Sequence, residues 1–130
     1  DIDFDRFIID APCSGTGTWR RSPDAKFRLT PKRLAVLNQT QAEILETAYK
    51  HTKKGGKIIY ITCSVLPDEN ENIVLNFAAK HSDVKFIEHN KLWQKKLDVP
   101  FPFTENRFIK LAPHTTGTDG FFFCMMQKGE

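Results

Sequence analysis

The chain has 130 residues, so a single domain is expected and a multidomain chain is excluded. Its composition, 40% hydrophobic and 27% charged, is typical of a globular chain and argues against disorder or collagen-like repeats. No apolar run approaches the roughly 18 residues of a membrane helix, and no signal peptide is evident. Three cysteines without a CxxC pair form neither a disulfide framework nor a zinc knuckle, so we expect a cytoplasmic protein without membrane contact.

The basic residues are concentrated in one segment, although the net charge of the chain is only +3. Residues 19–33 contain six basic residues and one acidic residue, which gives a local charge of +5. Such an excess can attract phosphate groups. Most charged segments are solvated surface, however, and the charge pattern alone favours that interpretation.

The first half of the chain predicts a strand followed by a long helix. Residues 4–10 are rich in β-branched and aromatic residues and lead into a loop with proline and glycine, which is typical of a strand. Thr30 can cap a helix in which Pro31 is the first residue. Apolar residues then recur at helical spacing for about twenty residues, and Gly55-Gly56 is expected to end the helix.

The second half predicts further strands and one more helix. Residues 57–62 form a buried strand, and a helix follows with Pro67 and several acids, among them Glu69, in its first turn. A short strand is predicted at residues 84–88, and residues 90–118 are expected to be irregular. An apolar strand at residues 120–126 closes the chain and places Cys124 in the core.

This order of elements predicts an α/β fold. The connection between the first two strands is long enough for the crossover that parallel neighbours need. Parallel strands end at the same edge of a sheet, where open α/β sheets bind their ligands. The loops after Asp10 and Thr62 should therefore face one crevice, in which Cys13 and Cys63 meet.

The loop after the first strand reads DAPCSGTG, with a rigid proline and two glycines that let the backbone approach a ligand closely. It lacks the lysine of a P-loop and the third glycine of a dinucleotide-binding fingerprint. A tight turn around a buried Cys13 fits the same pattern equally well. The local residues therefore leave a structural and a functional interpretation open.

The second loop places Cys63 between a buried strand and the beginning of a helix. A thiol near the positive end of a helix, with cations at hand, ionises more readily and becomes a nucleophile. Buried structural cysteine is commoner, but two thiols converging at a ligand edge favour chemistry. A disulfide between Cys13 and Cys63 fits poorly with a reducing compartment. The four histidines share no metal-binding spacing, so no metal is expected.

Five motifs in a fixed order carry a resemblance to a known family. They are DAPCSGTG, TWRRSPDAKF, NQTQAEIL, GGKIIYITCS with a downstream ENEN, and LAPHTTGTDGFFF. Together they resemble the Sun (Fmu) group of bacterial RNA cytosine-C5 methyltransferases, from about Phe4 to the end of the chain. Small departures at Phe27, Lys54, Ile61 and Cys124 do not touch the chemistry.

The resemblance implies a fold and a cofactor. The fold is the C-terminal half of a Rossmann-like class I methyltransferase sheet, in which parallel strands are followed by a C-terminal antiparallel strand. Residues 1–130 would then be a partial catalytic domain that uses S-adenosylmethionine. The glycine-rich loop that holds most of this cofactor would lie upstream of the chain.

The resemblance also implies residue roles. Cys63 matches the nucleophile that attacks C6 of cytosine, and Cys13 matches the second cysteine, which is associated with proton removal from C5 and release of the adduct. Asp10 matches the acid at the methionine end of the cofactor, and the Pro12 carbonyl is expected to contact the amino group of the base. The target base must be extruded or single-stranded.

The implied partner is RNA, and specifically 16S ribosomal RNA. Because the basic segment directly follows the first loop, Arg20, Arg21 and Lys26 become expected phosphate contacts. We expect the chain alone to be inactive, since its nucleophile would lack a positioned methyl donor. The unpaired edge of the first strand predicts self-association.

Two alternatives from other classes stay open at this point. The first is a non-catalytic RNA-binding module that uses residues 19–33, in which replacement of Cys63 has no effect. The second is an unrelated thiol enzyme in which one of the four histidines activates Cys63.

Overall fold

The computed structural model describes residues 2–130, which form one mixed sheet with helices packed against it. The strands are β1 (Phe4–Asp10), β2 (Thr52–Thr62), β3 (Lys85–Phe86), β4 (Phe108–Leu111) and β5 (Phe121–Gln127). The helices are α1 (Pro31–His51), α2 (Glu71–Lys80), α3 (His89–Lys96) and α4 (Pro113–Thr116). Short 3₁₀ turns lie at Thr16–Thr18, Pro23–Arg28 and Pro67–Glu69. Among these described residues, no helix is both long and apolar enough to cross a membrane.

Strand direction in the sheet agrees with the sequence analysis. β1 pairs in parallel with β2, and β2 pairs in an antiparallel manner with β5. β3 and β4 both pair with the other edge of β5, again antiparallel. Only β5 therefore runs against the remaining strands of the described sheet. The predicted α/β fold with a C-terminal antiparallel strand is confirmed.

Helix α1 provides the crossover between the two parallel strands, and its predicted beginning is confirmed. The Thr30 hydroxyl accepts a hydrogen bond from the backbone N–H of Arg33 at 3.1 Å, and Pro31 is the first helical residue. This cap satisfies one of the backbone donors that the first turn of a helix leaves free, and proline has no N–H to satisfy there.

The predicted end of α1 is wrong. The helix ends at His51, and β2 begins at the next residue, so Gly55-Gly56 lie in the irregular beginning of β2. Side chains cap the helix instead of glycine. The Thr52 hydroxyl donates to the Ala48 carbonyl at 2.6 Å, and the Lys128 ammonium donates to the Tyr49 carbonyl at 2.8 Å.

The core lies between the sheet and helices α1 and α2. Inward-facing strand residues are Ile9, Ile58, Tyr60, Phe122, Cys124 and Met126, all of them buried. Leu45 of α1 and Val74 of α2 are fully buried in the same cluster. The expectation that Cys124 is a core residue is confirmed. The opposite face is more open at β1, where Ile8 is 63% exposed.

The expectation that residues 90–118 are irregular is wrong, because this segment contains most of α3 together with β4 and α4. Strand β4 is only four residues long and pairs with β5 from Phe108–Cys124 to Leu111–Phe121. Pairing with a later strand stabilises β4, and a local pattern of four residues does not reveal such a partner.

Candidate active site

The carboxyl ends of β1 and β2 lie side by side, so the loops that follow them emerge at one edge of the sheet. Asp10 is paired with Ile61, and the N–H of Ala11 donates to the Ile61 carbonyl at 2.9 Å. The Sγ atoms of Cys13 and Cys63 lie 3.3 Å apart, and both side chains are half-buried free thiols. A disulfide would require about 2.05 Å. The predicted meeting of the two cysteines is confirmed.

Gly17 joins the two loops through the backbone. Its N–H donates to the Cys63 carbonyl at 2.9 Å, and its carbonyl accepts from the N–H of Gly120 at 2.8 Å. A Cβ on Gly17 would lie 2.7 Å from the Cys63 carbonyl oxygen and would overlap the Gly120 carbonyl. We expected this glycine to allow the backbone to approach a ligand, but Gly17 instead allows close packing against the backbone of Cys63 and Gly120. Gly15, with a φ of 69°, supplies the left-handed turn before it.

A buried carboxylate lies between the two thiol loops. Glu69 has no exposed surface, and it accepts hydrogen bonds from the Ser14 N–H at 2.8 Å and the Ser14 hydroxyl at 2.6 Å. The Ser64 hydroxyl donates to the same carboxylate, and Gln41 Nε2 donates at 3.3 Å. Glu69 thus contacts the residue that directly follows each cysteine.

This role of Glu69 is not apparent in the sequence, where the residue is one of several acids in the predicted first turn of a helix. Helix α2 begins only at Glu71, and Glu69 lies in the preceding 3₁₀ turn. One signal was available. Gln41 occupies the inner stripe of α1 together with Leu45 and Ala48, and a buried amide in an apolar stripe needs a polar partner.

Further buried hydrogen bonds hold the loop after β2. Thr16 and Ser64 have hydroxyl oxygens 3.0 Å apart, and Thr16 Oγ1 accepts from the Val65 N–H at 3.0 Å. The Thr62 hydroxyl donates to Asn70 Oδ1 at 2.6 Å, and Asn70 Nδ2 donates to the Ser64 carbonyl at 2.8 Å. Satisfied buried networks of this kind fix one geometry. The thiols therefore lie on a rigid support.

Asp10 and Pro12 face the same edge of the sheet. Asp10 is exposed at the carboxyl end of β1. The carbonyl of Pro12 accepts a hydrogen bond from Gln41 Nε2 at 2.9 Å. A carbonyl oxygen has two lone pairs, so this contact orients the Pro12 carbonyl and leaves one acceptor position available.

The electrostatic environment of Cys13 favours its neutral form. Burial raises the pKa of Cys13 to about 12, and both the hydrogen bond with Cys63 and the charge of Cys63 act in the same direction. A backbone hydrogen bond from Gly15 opposes them without cancelling them. Cys13 is therefore a thiol near neutral pH and can donate its proton toward the sulfur of Cys63.

The structure brings two of the three predicted phosphate contacts to the rim of the site. Arg21 Nε lies 2.6 Å from an Asp119 carboxylate oxygen and Arg20 Nη2 lies 3.5 Å from the other, while both arginines remain largely exposed. Asp119 comes just before β5, beside the thiol loops. Lys26 instead lies over the ring of Phe27, with Nζ 5.1 Å from the centroid, on the outer surface.

A cavity of about 740 Å³ opens beside the loop that carries Cys63. Ser64 and Val65 form one wall, and Phe121 and Lys110 contribute to the others. The cavity thus offers an aromatic ring and a cationic group, and its wall includes Ser64, the residue that follows Cys63. A flat base attached to a phosphate backbone has complementary chemistry.

The thiol contact bears on the alternative of a histidine-activated enzyme. Across residues 2–130, the hydrogen-bonding partner of Cys63 Sγ is Cys13, and neither thiol is hydrogen-bonded to a histidine. The same residues contain no cluster of three potential metal ligands. The arrangement can therefore deliver a sulfur nucleophile with a second thiol as its proton partner.

The mixed α/β sheet that carries the two thiols is similar to solved structures of the methyltransferase class. NSun6 from Pyrococcus horikoshii, determined with SFG, is 26% identical at a TM-score of 0.78, over 99% of this chain and 31% of that chain. A methyltransferase homologue from Pyrococcus horikoshii is 27% identical at a TM-score of 0.70, over 98% of this chain and 40% of that one. The described residues form a Rossmann-like portion of that fold.

The sequence comparisons identify the family. The 16S rRNA methyltransferase RsmB/F family matches residues 1–127. Ribosomal RNA small subunit methyltransferase B of Erwinia tasmaniensis is 38% identical over 98% of this chain and 27% of its own length. The probable methyltransferase B of Bacillus subtilis is 39% identical over 96% of this chain and 28% of its own length. The chain therefore belongs to the RsmB/F family, and it spans about a quarter of the length of these relatives.

Proposed function

We propose that the protein containing these residues transfers a methyl group to C5 of a cytosine in RNA, through a covalent bond between Cys63 and C6. The observation that carries this proposal is the pair of free thiols, 3.3 Å apart, at the ligand edge of the sheet. The names of the relatives support RNA as substrate and favour 16S ribosomal RNA. A cytoplasmic location, where ribosomes are assembled, follows from that substrate.

The proposed reaction begins with addition of the Cys63 thiolate to C6 of the cytosine. The electron pair of the C5–C6 double bond moves to C5, which then bonds to the incoming methyl group. S-adenosylmethionine, when bound, supplies that group from its sulfonium. Removal of the C5 proton restores the double bond, breaks the bond between C6 and sulfur, and returns Cys63 as a thiolate.

We assign removal of the C5 proton to Cys13, and its environment supports this order of events. While Cys63 is free, its hydrogen bond and its charge help to hold the pKa of Cys13 high. Once Cys63 is bonded to C6, neither influence remains, so Cys13 loses its proton to water more readily. The resulting thiolate takes the proton from C5 and becomes a thiol again.

The remaining site residues are proposed to bind rather than to react. The exposed Asp10 carboxylate fits the cationic methionine end of the cofactor, and most of the cofactor site would lie in the part of the relatives that this chain does not span. The free lone pair of the Pro12 carbonyl would accept from the cytosine amino group. Arg20, Arg21 and Lys26 would contact RNA phosphates, and the cavity beside Ser64 would hold a neighbouring base.

The covalent step can be tested with the full-length protein and RNA that carries 5-fluorocytosine at the target position. Fluorine at C5 cannot leave as a proton, so the adduct should persist under denaturing conditions. We expect Cys63→Ala to form no adduct and Cys13→Ala to accumulate adduct even with ordinary cytosine. Cys124→Ala is the matched control and should behave as the parent protein, because Cys124 lies in the core. Methylation by Cys63→Ala at the parent rate would exclude the covalent route, whereas RNA binding without any methylation by the parent protein would favour the RNA-binding alternative.

The isolated chain has two properties that follow from the same proposal. It should transfer no methyl group to unmodified ribosomal RNA, because the methyl donor would not be positioned next to Cys63. It should also self-associate, because β1 pairs only with β2 among the described residues and leaves Ile8 63% and Phe4 45% exposed. Tritiated methyl transfer and sedimentation at high concentration measure the two properties.

A further inference from the structure

We propose that Glu69 is a positioning residue that holds the two thiols at their working distance by binding the residue that follows each cysteine. We call the hydrogen bonds from Ser14 and Ser64 to Glu69 the clamp. The catalytic consequence of the clamp rests on the proposed function. The geometry of the clamp can be tested separately, without RNA, because the distance between two thiols determines how well they bind one reagent together.

The clamp binds the equivalent residue in each of the two loops. Ser14 directly follows Cys13 and donates two hydrogen bonds to Glu69, from its N–H at 2.8 Å and its hydroxyl at 2.6 Å. Ser64 directly follows Cys63 and donates its hydroxyl to the same carboxylate. One side chain therefore fixes the backbone immediately after both sulfurs.

The position of Glu69 is itself fixed from other sides. Gln41 Nε2 of helix α1 donates to the carboxylate at 3.3 Å, and the Tyr60 hydroxyl of β2 donates to the Glu69 carbonyl at 2.6 Å. Because Glu69 has no exposed surface, water is not at hand to replace it. Removing the carboxylate leaves the half-buried Ser14 N–H without this acceptor, and the buried Gln41 Nε2 keeps only its hydrogen bond to the Pro12 carbonyl.

Without Glu69, the backbone bond from Gly17 to the Cys63 carbonyl still joins the two loops. That bond lies four residues beyond Cys13 in the chain, past Ser14, so it does not hold Ser14 directly. We therefore expect loss of Glu69 to alter the distance between the sulfurs more than it alters the fold. This separates a positioning role from a merely structural one.

Hydrogen bonding, rather than charge, is the physical basis of the clamp, and the contacts allow the two to be separated. The donors at Oε1 are the Ser14 N–H and the Gln41 amide, whereas both donors at Oε2 are serine hydroxyls. In Glu69→Gln, an amide nitrogen at the Oε2 position can donate to hydroxyls that rotate to accept. Glu69→Gln should therefore keep the clamp, and Glu69→Ala should lose it.

The test uses the full-length protein and phenylarsine oxide, a trivalent arsenical that binds two thiols held close together. Glu69→Ala should weaken its binding by about tenfold or more, and Glu69→Gln by less than about threefold. Tyr60→Phe is the matched control, because it removes a buried hydrogen bond to Glu69 without touching either serine. The thermal midpoint of each variant is measured alongside. Equal weakening by Glu69→Ala and Tyr60→Phe would overturn the proposal.

Two further variants test the proposal if Glu69→Ala does not fold. Ser64→Ala removes the one hydrogen bond from Ser64 to Glu69, and Ser14→Ala removes one of two, because the Ser14 N–H still donates. Both variants should weaken arsenical binding, Ser64→Ala more than Ser14→Ala, and unchanged binding in both would overturn the clamp. With RNA, Ser14→Ala should slow release of the covalent adduct and Ser64→Ala should slow its formation. If arsenical binding changes as expected while no protein forms an adduct, the clamp stands and the proposed methylation mechanism fails.

Discussion

The thiol loops and the basic segment lie next to each other at one edge of the sheet, but different interactions hold them. Buried hydrogen bonds to Glu69 and the backbone bonds of Gly17 hold the thiol loops. The basic segment has ion pairs in which the cation is largely exposed, such as Arg21–Asp119 at 2.6 Å. The thiol loops are thus held by hydrogen bonds shielded from solvent, whereas water and salt can replace the contacts of the basic segment.

This difference matches the demands of the proposed reaction. A covalent step requires reacting atoms within a narrow range of distances, whereas phosphate contacts tolerate side-chain movement. Breaking a buried network leaves unpaired polar groups and costs much stability, while exposed ion pairs contribute about 1 kcal/mol or less. Substitutions in the two regions should therefore have different effects, and four variants test that expectation.

Gly17→Ala should have the largest effect on stability. Its Cβ would lie 2.7 Å from the Cys63 carbonyl oxygen, against backbone that cannot yield without separating the two loops. We expect a loss of about 3 kcal/mol or more in the free energy of unfolding, measured by urea denaturation of the full-length protein. Gly117→Ala is the control, since Gly117 has a φ of 68° but open space around it and should cost only about 1 kcal/mol. Equal losses would contradict the close packing of the loops.

The double change Arg20→Ala and Arg21→Ala should weaken RNA binding by about tenfold at moderate salt. The slope of log affinity against log salt should also become shallower, by about 0.7 for each lost phosphate contact to a single strand. Lys53→Ala is the control, because Lys53 is also exposed and ion-paired, 3.1 Å from Asp5, but lies near the other end of β2. An identical salt slope in both proteins would remove Arg20 and Arg21 from the RNA interface.

Cys63→Ala should lower the pKa of Cys13. The parent value of about 12 arises first from burial and then from the hydrogen bond and charge of Cys63, so the variant loses the second and third of these influences. Burial remains, and the pKa should stay above the ordinary value of 9.0. The pH dependence of Cys13 alkylation by iodoacetamide measures it, with alkylation beginning at lower pH in the variant. An unchanged or higher value would argue against thiol coupling.

Asp119→Asn should have the smallest effect. It removes the carboxylate that lies 2.6 Å from Arg21, but the arginine side chain is 66% exposed, so the free energy of unfolding should fall by less than about 1 kcal/mol. RNA binding should become slightly tighter, because a carboxylate that competes with phosphate is gone. Weaker RNA binding would mean that Asp119 orients the arginines instead.

The sequence predicted features that depend on neighbouring residues or on the order of the strands and helices. Thr30 and Pro31 define the beginning of α1 through contacts within one turn, and the order of strands and helices placed Cys13 and Cys63 together. The clamp could not be predicted from the sequence, because Ser14 and Glu69 are 55 positions apart and only the folded chain reveals their contact. Strand β4 escaped prediction for the same reason, since its partner β5 comes later in the chain.

The separation of the two cysteines in the chain has a consequence for synthesis of the protein. Cys63 follows Cys13 by 50 positions, with the whole of α1 between them. At about 5–20 residues per second, the ribosome adds Cys63 several seconds after Cys13. During that interval Cys13 lacks Cys63 as its neighbour, and the Glu69 carboxylate that anchors its loop has not yet been made. The thiol pair is thus assembled only when the second parallel strand docks, so the nascent chain has made the whole of its crossover helix before it contains Cys63, the proposed nucleophile.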